Sequence, residues 1–169
     1  MPIASIALSG CTDTTIDIGD EFTFLTLQNT QANLSDYRGK IVVLDLWATW
    51  CQPCQYQMLE LRKTYENYTR DEVEILSINT DPDEGIQLIQ SFLDQFEQYG
   101  YDLNWVFGNE IDNLNKYNPA GSIPRICLFD KEGNLSWQHT GIIFYKDFPD
   151  GWTGERITLK EKIDELLDT

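Results

Sequence analysis

Apolar residues recur along this chain with two periods, and the switches between them mark out its elements. Residues 21–27 alternate and predict a strand. Residues 29–39 hold a polar turn and one helical turn, Leu34-Ser35-Asp36-Tyr37. Residues 41–47 form an apolar run broken only by Asp45, as in a strand buried on both faces. Over residues 52–68, Met58, Leu61, Tyr65 and Tyr68 fall at helical spacing. Residues 73–79 predict another strand. Residues 82–99 predict a helix through Ile86, Ile89, Leu93 and Phe96. A short strand over 105–107 and a short helix over 111–117 follow. Strands over 126–129 and 135–140 flank Asp130-Lys131-Glu132-Gly133-Asn134, a hairpin turn. Residues 141–155, with Pro149, Gly151 and Gly154, read as an ordered loop or a wide hairpin extension. Leu159, Ile163, Leu166 and Leu167 share one face of a closing helix over 158–167.

Strands and helices alternate first, and a hairpin and a helix close the chain. That order predicts an α/β sandwich with a mixed central sheet flanked by helices. The length of 169 residues suits one domain with a full core, placed here at residues 20–169.

Charge narrows the partners. Twenty-eight acidic residues against twelve basic ones leave a formal net charge of −16. Nucleic acid and anionic membranes are therefore poor partners, and basic proteins or cationic surfaces easier ones. Residues 1–10 are uncharged and mostly apolar or small, and end in Leu8-Ser9-Gly10-Cys11. That tetrapeptide resembles a prokaryotic lipoprotein processing site, although the basic start of a secretory signal is missing. On this reading residues 1–19 are a leader and flexible tail, and Cys11 is a lipid anchor. The domain then sits outside the cytoplasm, touching the membrane only through its acyl chains.

Two of the four cysteines are close in sequence, in Trp47-Ala48-Thr49-Trp50-Cys51-Gln52-Pro53-Cys54. The pair stands where the apolar strand hands over to a helix. A helix start offers unpaired N–H groups and a positive dipole end, which favour a thiolate over a thiol. Cys51 is the expected attacking sulfur and Cys54 the resolving one, with Pro53 stiffening the first turn. No charged residue occurs from Leu46 to Leu59. That neutrality is expected to keep Cys51 reactive, since a nearby carboxylate raises a thiol pKa. Trp47 and Trp50 are expected to form an apolar collar for a partner polypeptide. Asp45, in an apolar strand, is expected to have a raised pKa through desolvation. Cys127, in an apolar run, reads as an inert core thiol. His139 reads as structural or exposed.

Several segments together carry a resemblance. Trp-Ala-Thr-Trp-Cys-Gln-Pro-Cys at 47–54, Gly121-Ser122-Ile123-Pro124, Leu128-Phe129-Asp130-Lys131-Glu132-Gly133 and Leu34-Ser35-Asp36-Tyr37-Arg38-Gly39-Lys40 resemble the thioredoxin superfamily. The match is to its TlpA/ResA-like, AhpC/TSA-related extracytoplasmic branch, and the helix and strand between Pro82 and Phe107 match that branch's insertion. The resemblance implies a thioredoxin-like three-layer sandwich and a thiol–disulfide oxidoreductase that reduces protein disulfides. Asp45 resembles the buried aspartate of cytoplasmic-type thioredoxin, where the TlpA/ResA-like branch often has Asn, and that likeness implies that Asp45 takes the proton of Cys54. The resemblance also implies that Pro124 is cis and faces the dithiol, and that Ile123 pairs with extended substrate. Trp50, Pro53, Ile123 and Pro124 are thus the expected substrate-binding residues.

No cofactor or metal is expected beyond the Cys51–Cys54 pair. The expected partners are protein disulfides and an upstream membrane thiol donor, and a monomer is expected. The branch often carries Glu three residues after the second cysteine and Pro five after, where Gln57 and Leu59 stand here. Arg125 stands where Thr is usual, a cation able to tune Cys51 or simply an outward surface residue. A peroxiredoxin-type peroxidase would need Pro-x-x-x-Thr/Ser-x-x-Cys, but Leu44 and Ala48 occupy those positions. A copper-binding module would need a longer cysteine spacing and a positioned histidine.

Overall fold

The computed structural model describes residues 20–112 and 114–169. The expected leader and Cys11 lie outside the described residues. Seven strands form one mixed sheet: β1 (Thr23–Thr26), β2 (Gln31–Asn33), β3 (Ile41–Trp47), β4 (Val73–Asn79), β5 (Val106–Asp112), β6 (Arg125–Phe129) and β7 (Leu135–Thr140). Their order is β2-β1-β5-β4-β3-β6-β7. β3, β4 and β5 run parallel, and every other pairing is antiparallel.

Helix α1 (Gln52–Arg62) crosses from β3 to β4, and α2 (Ile86–Gln98) from β4 to β5. Both steps move the same way along the sheet. Right-handed crossovers therefore place both helices on one face. Helix α3 (Leu159–Leu167) joins them there. Val43, Trp47, Met58, Leu61, Ile75, Ile89, Phe107 and Ile163 are among the residues that fill this layer. The opposite face buries Phe22, Phe24, Leu44, Leu46, Leu114, Tyr117 and Phe129 under two single 3-10 turns, Leu34–Tyr37 and Leu114–Lys116.

Local chemistry explains the ends of these elements. The Thr158 hydroxyl accepts the Glu161 N–H at 3.2 Å, and the Glu161 carboxylate accepts the Thr158 N–H at 2.9 Å. This reciprocal cap starts α3. At the β6–β7 hairpin, the Asp130 carboxylate accepts the Asn134 N–H at 2.7 Å, and Gly133 takes φ +81°. A side chain at Gly133 would be strained in that left-handed conformation.

Four sequence-based expectations are corrected. The strand predicted at 105–107 runs on to Asp112, and the helix predicted at 111–117 shrinks to the turn Leu114–Lys116. The reason is pairing with β1, which supplies ladder partners for residues that have poor strand propensity of their own. Gly108 permits the approach, since a Cβ there would lie 2.5 Å from the Leu25 carbonyl oxygen. The polar turn after residue 29 contains β2, formed by pairing back onto β1 around Asn29 at φ +59°. Helix α1 ends at Arg62 rather than continuing to Tyr68. Tyr65 and Tyr68 leave the helix to reach other elements: the Tyr65 hydroxyl accepts the Ile75 N–H at 3.1 Å, and Tyr68 donates to Asp164 at 2.5 Å.

Candidate active site

Strand β3 builds the site from below. All seven of its positions are buried, and alternation divides them between the two layers. Asp45 falls with Val43 and Trp47 on the face that α1 covers. The loop Ala48-Thr49-Trp50 then carries the chain to Cys51, the N-cap of α1, with Pro53 at the second helical position. Cys51 and Cys54 form a disulfide with Sγ atoms 2.00 Å apart. The Cys54 N–H donates to the Cys51 Sγ at 3.2 Å. Cys51 retains 3% of its surface and Cys54 none, so Cys51 is the more accessible residue of the pair.

Asp45 is fully buried. Its Oδ2 accepts from the Ser77 hydroxyl at 2.8 Å, and Ser77 Oγ accepts from the Trp105 indole N–H at 2.9 Å. Oδ1 has no hydrogen-bond partner among the described residues. Burial pushes the carboxyl up to about 7, and the Ser77 bond offsets part of that rise.

The expected neutral surroundings of the dithiol are not what the fold provides. The turn between β4 and α2 brings two carboxylates to the loop ahead of Cys51. Glu84, only 6% exposed, accepts the Thr49 N–H at 2.9 Å, the Thr49 hydroxyl, and the Asn79 side-chain N–H at 2.6 Å. Asp81 accepts the Trp50 indole N–H at 2.6 Å. Trp50 nevertheless stays 67% exposed. Trp47 is no part of a collar: it is fully buried, with its ring centroid 5.2 Å from that of Phe92 and 6.0 Å from that of Phe107. Sequence reading missed Glu84 because Asp81-Pro82-Asp83-Glu84-Gly85 has the composition of a solvated turn. No local pattern marks one of its acids as buried.

Gln57, fully buried one turn beyond Cys54, bonds both ways to one backbone unit. Its amide N–H donates to the Ile143 carbonyl at 3.2 Å, and its carbonyl accepts the Ile143 N–H at 2.8 Å. Glu60, three residues on, accepts the Tyr145 N–H at 2.9 Å. These bonds fix Ile143 and Tyr145 against α1, and residues 141–155 form a loop with no strand, not a hairpin extension.

The Ile123–Pro124 bond is cis. Leu46 pairs with Arg125 in the β3–β6 ladder, which sets Pro124 level with Trp47, where β3 ends and the dithiol loop begins. Ile123, Ala48 and Trp50 line one cleft of about 230 Å³. Pro53 is exposed at the helix start. Arg125 turns away from the dithiol. Its guanidinium donates to the Tyr117 carbonyl at 3.0 Å and to Thr140 and Gln138 at 2.5 Å each. Cys127 is fully buried in the opposite layer, and burial raises its thiol to about 11, consistent with an inert thiol. His139 stacks on Trp137, with ring centroids 5.7 Å apart.

The sequence model of the AhpC/TSA family matches residues 17–138. The chain belongs to that family. The thiol-disulfide oxidoreductase ResA of Geobacillus kaustophilus is 34% identical over 127 residues, covering 75% of this chain and 70% of that protein. The thioredoxin-like protein YneN of Bacillus subtilis is 27% identical over 128 residues, covering 75% and 72%. Among solved structures, the exposed lipoprotein thioredoxin Etrx1 of Streptococcus pneumoniae aligns with TM-score 0.59 at 24% identity, over 87% of this chain and all of that one. A thiol-disulfide isomerase of Corynebacterium glutamicum gives TM-score 0.65 at 14% identity, over 85% and 91%. The structural likenesses establish the thioredoxin-like fold. The ResA likeness and the Cys51–Cys54 disulfide make this family member a thiol–disulfide oxidoreductase.

Proposed function

We propose that the protein reduces protein disulfides, with Cys51 as nucleophile, Cys54 as resolving thiol and Asp45 as proton acceptor. The observation that carries this reading is the position of Cys51: it caps α1 and receives the Cys54 N–H on its sulfur. That N–H and the helix dipole favour a thiolate in the reduced enzyme. The Cys51 thiolate attacks a substrate sulfur and displaces the other as a thiolate, giving a mixed disulfide. Cys54 then gives its proton to Asp45 and attacks Cys51, releasing the second substrate sulfur, which takes a proton from water. Two electrons pass from the dithiol to the substrate, and no further cofactor takes part. Trp50, Pro53, Ile123 and Pro124 form the substrate platform, with the Ile123 backbone free to pair with an extended chain.

The Etrx1 likeness and the Leu8-Ser9-Gly10-Cys11 segment support a location outside the cytoplasm, with Cys11 as a lipid anchor and a membrane thiol protein as electron donor. The folded part acts as a monomer. The test is trapping. Reduced Cys54→Ser protein mixed with a disulfide-bearing polypeptide should accumulate a mixed disulfide through Cys51, visible by mass spectrometry. Cys51→Ser should accumulate none. Equal trapping by both variants would refute the assigned roles.

A further inference from the structure

We infer that Ser77 and Trp105 are positioning residues for the proton transfer: the Trp105 indole commits the Ser77 hydroxyl to Asp45 Oδ2 and leaves Oδ1 to receive the Cys54 proton. This inference rests on the proposed role of Asp45 and goes beyond it.

The three groups form a buried chain. Asp45 and Ser77 are fully buried and face each other in the β3–β4 register, and Trp105 is 8% exposed just ahead of β5. An indole N–H only donates, whereas a serine hydroxyl has one hydrogen and two lone pairs. The Trp105 N–H occupies one lone pair of Ser77 Oγ at 2.9 Å, and the Ser77 hydrogen goes to Asp45 Oδ2 at 2.8 Å. The reverse arrangement would have a protonated Oδ2 donate to Ser77. Ser77 would then accept twice and strand its own hydrogen in the core, at a cost of about 1–3 kcal/mol. Oδ2 is thus held as an acceptor, and Oδ1, which has no partner among the described residues, is the oxygen available for a proton. Trp105 is itself fixed by stacking on Phe107, with centroids 5.2 Å apart and planes 25° apart.

The surroundings leave few other groups to move this titration. Strand β6 places Ile126 opposite Asp45. Helix α1 contributes Cys54 and Met58, α2 Ile89 and Phe92, and α3 Leu159 and Ile163. Among the described residues, the apolar cluster of this layer includes the titratable Cys51, Cys54, Tyr68 and Tyr145, and the Glu84 carboxylate is buried at its edge against Thr49 and Asn79. No charged side chain contributes to the upward shift of Asp45.

The test separates the two steps by rapid quenching of reduced enzyme with a peptide disulfide from pH 5 to 9. Resolution needs the Asp45 carboxylate, so its rate rises with pH, with a midpoint belonging to the Asp45–Cys54 pair. Asp45→Asn should slow resolution and abolish that midpoint, leaving a rate that climbs with pH only as Cys54 itself ionises. If it changes neither step, the role of Asp45 fails and the positioning role fails with it. Where Asp45→Asn does slow resolution, Ser77→Ala should move the wild-type midpoint up by about one pH unit, the worth of one hydrogen bond to an ionised group. Ser77→Thr should restore it. Trp105→Phe, which keeps the ring stack, should move it the same way by less. An unmoved midpoint in Ser77→Ala and Trp105→Phe, with Asp45→Asn still defective, overturns the positioning role alone. If Ser77→Ala does not fold, the Trp105→Phe and Ser77→Thr profiles decide.

Discussion

Glu84 holds Thr49 by both its backbone N–H and its hydroxyl, and thereby fixes the segment that delivers Cys51 to the start of α1. The same carboxylate binds the Asn79 amide, and the Glu84 carbonyl accepts from Asn109 at 2.7 Å. The turn before α2 is thus wired to the dithiol loop. Glu84→Ala leaves the buried Asn79 amide and the part-buried Thr49 N–H and hydroxyl without this acceptor, at roughly 1–3 kcal/mol for a buried donor. Urea denaturation of the oxidised variant should show a loss of at least about 2 kcal/mol. A loss below about 0.5 kcal/mol, the usual range of a surface change, would mean that water replaces the carboxylate.

Asp45 should make stability fall as pH rises. Its folded value of about 7 stands above the unfolded value of about 3.9. Between those values the folded chain keeps a proton that the unfolded chain has lost. The contribution is full below about pH 4 and lost as pH climbs through 7, at up to about 1.4 kcal/mol per pH unit. Asp45→Asn cannot titrate. Denaturation of oxidised wild type and variant at pH 4, 5.5, 7 and 8.5 should show the variant gaining relative stability at each step. Parallel curves would place the Asp45 titration elsewhere.

Gln57→Glu tests the clamp between α1 and Ile143. A carboxylate accepts the Ile143 N–H but offers nothing to the Ile143 carbonyl, so only the protonated acid keeps both bonds. The introduced acid should therefore have a raised folded pKa, and its clamp should be lost as pH rises. At pH 8 the variant should be destabilised by roughly 1–3 kcal/mol, with amide exchange of Ile143 and Tyr145 accelerated. Unchanged exchange there would remove Gln57 as the anchor.

Trp50 separates substrate binding from chemistry. It is largely exposed, its indole is tied to Asp81, and it shares a cleft with Ile123. Trp50→Ala should raise KM for protein disulfides about tenfold, as expected for an aromatic anchor worth more than 1 kcal/mol. Turnover of a small aromatic disulfide should stay within about twofold, well inside that binding effect. Equal losses with both substrates would point to a distorted dithiol instead.

What the amino-acid order determined by itself was local. The apolar run through Trp47, the Cys51–Cys54 spacing and the helical periodicity after it fixed a strand, a dithiol and a helix in one contiguous stretch, where neighbours in sequence are neighbours in space. Asp45 was legible for the same reason, as one acid among apolar strand residues. Tertiary structure decided which distant groups surround that stretch. Pairing with β1 turned residues 108–112 into strand, the turn before α2 buried Glu84 against Thr49, and parallel register set Ser77 beside Asp45. Each of these depends on contacts across roughly thirty or more residues, and hydrophobic periodicity carries no information about which polar groups such contacts bring together.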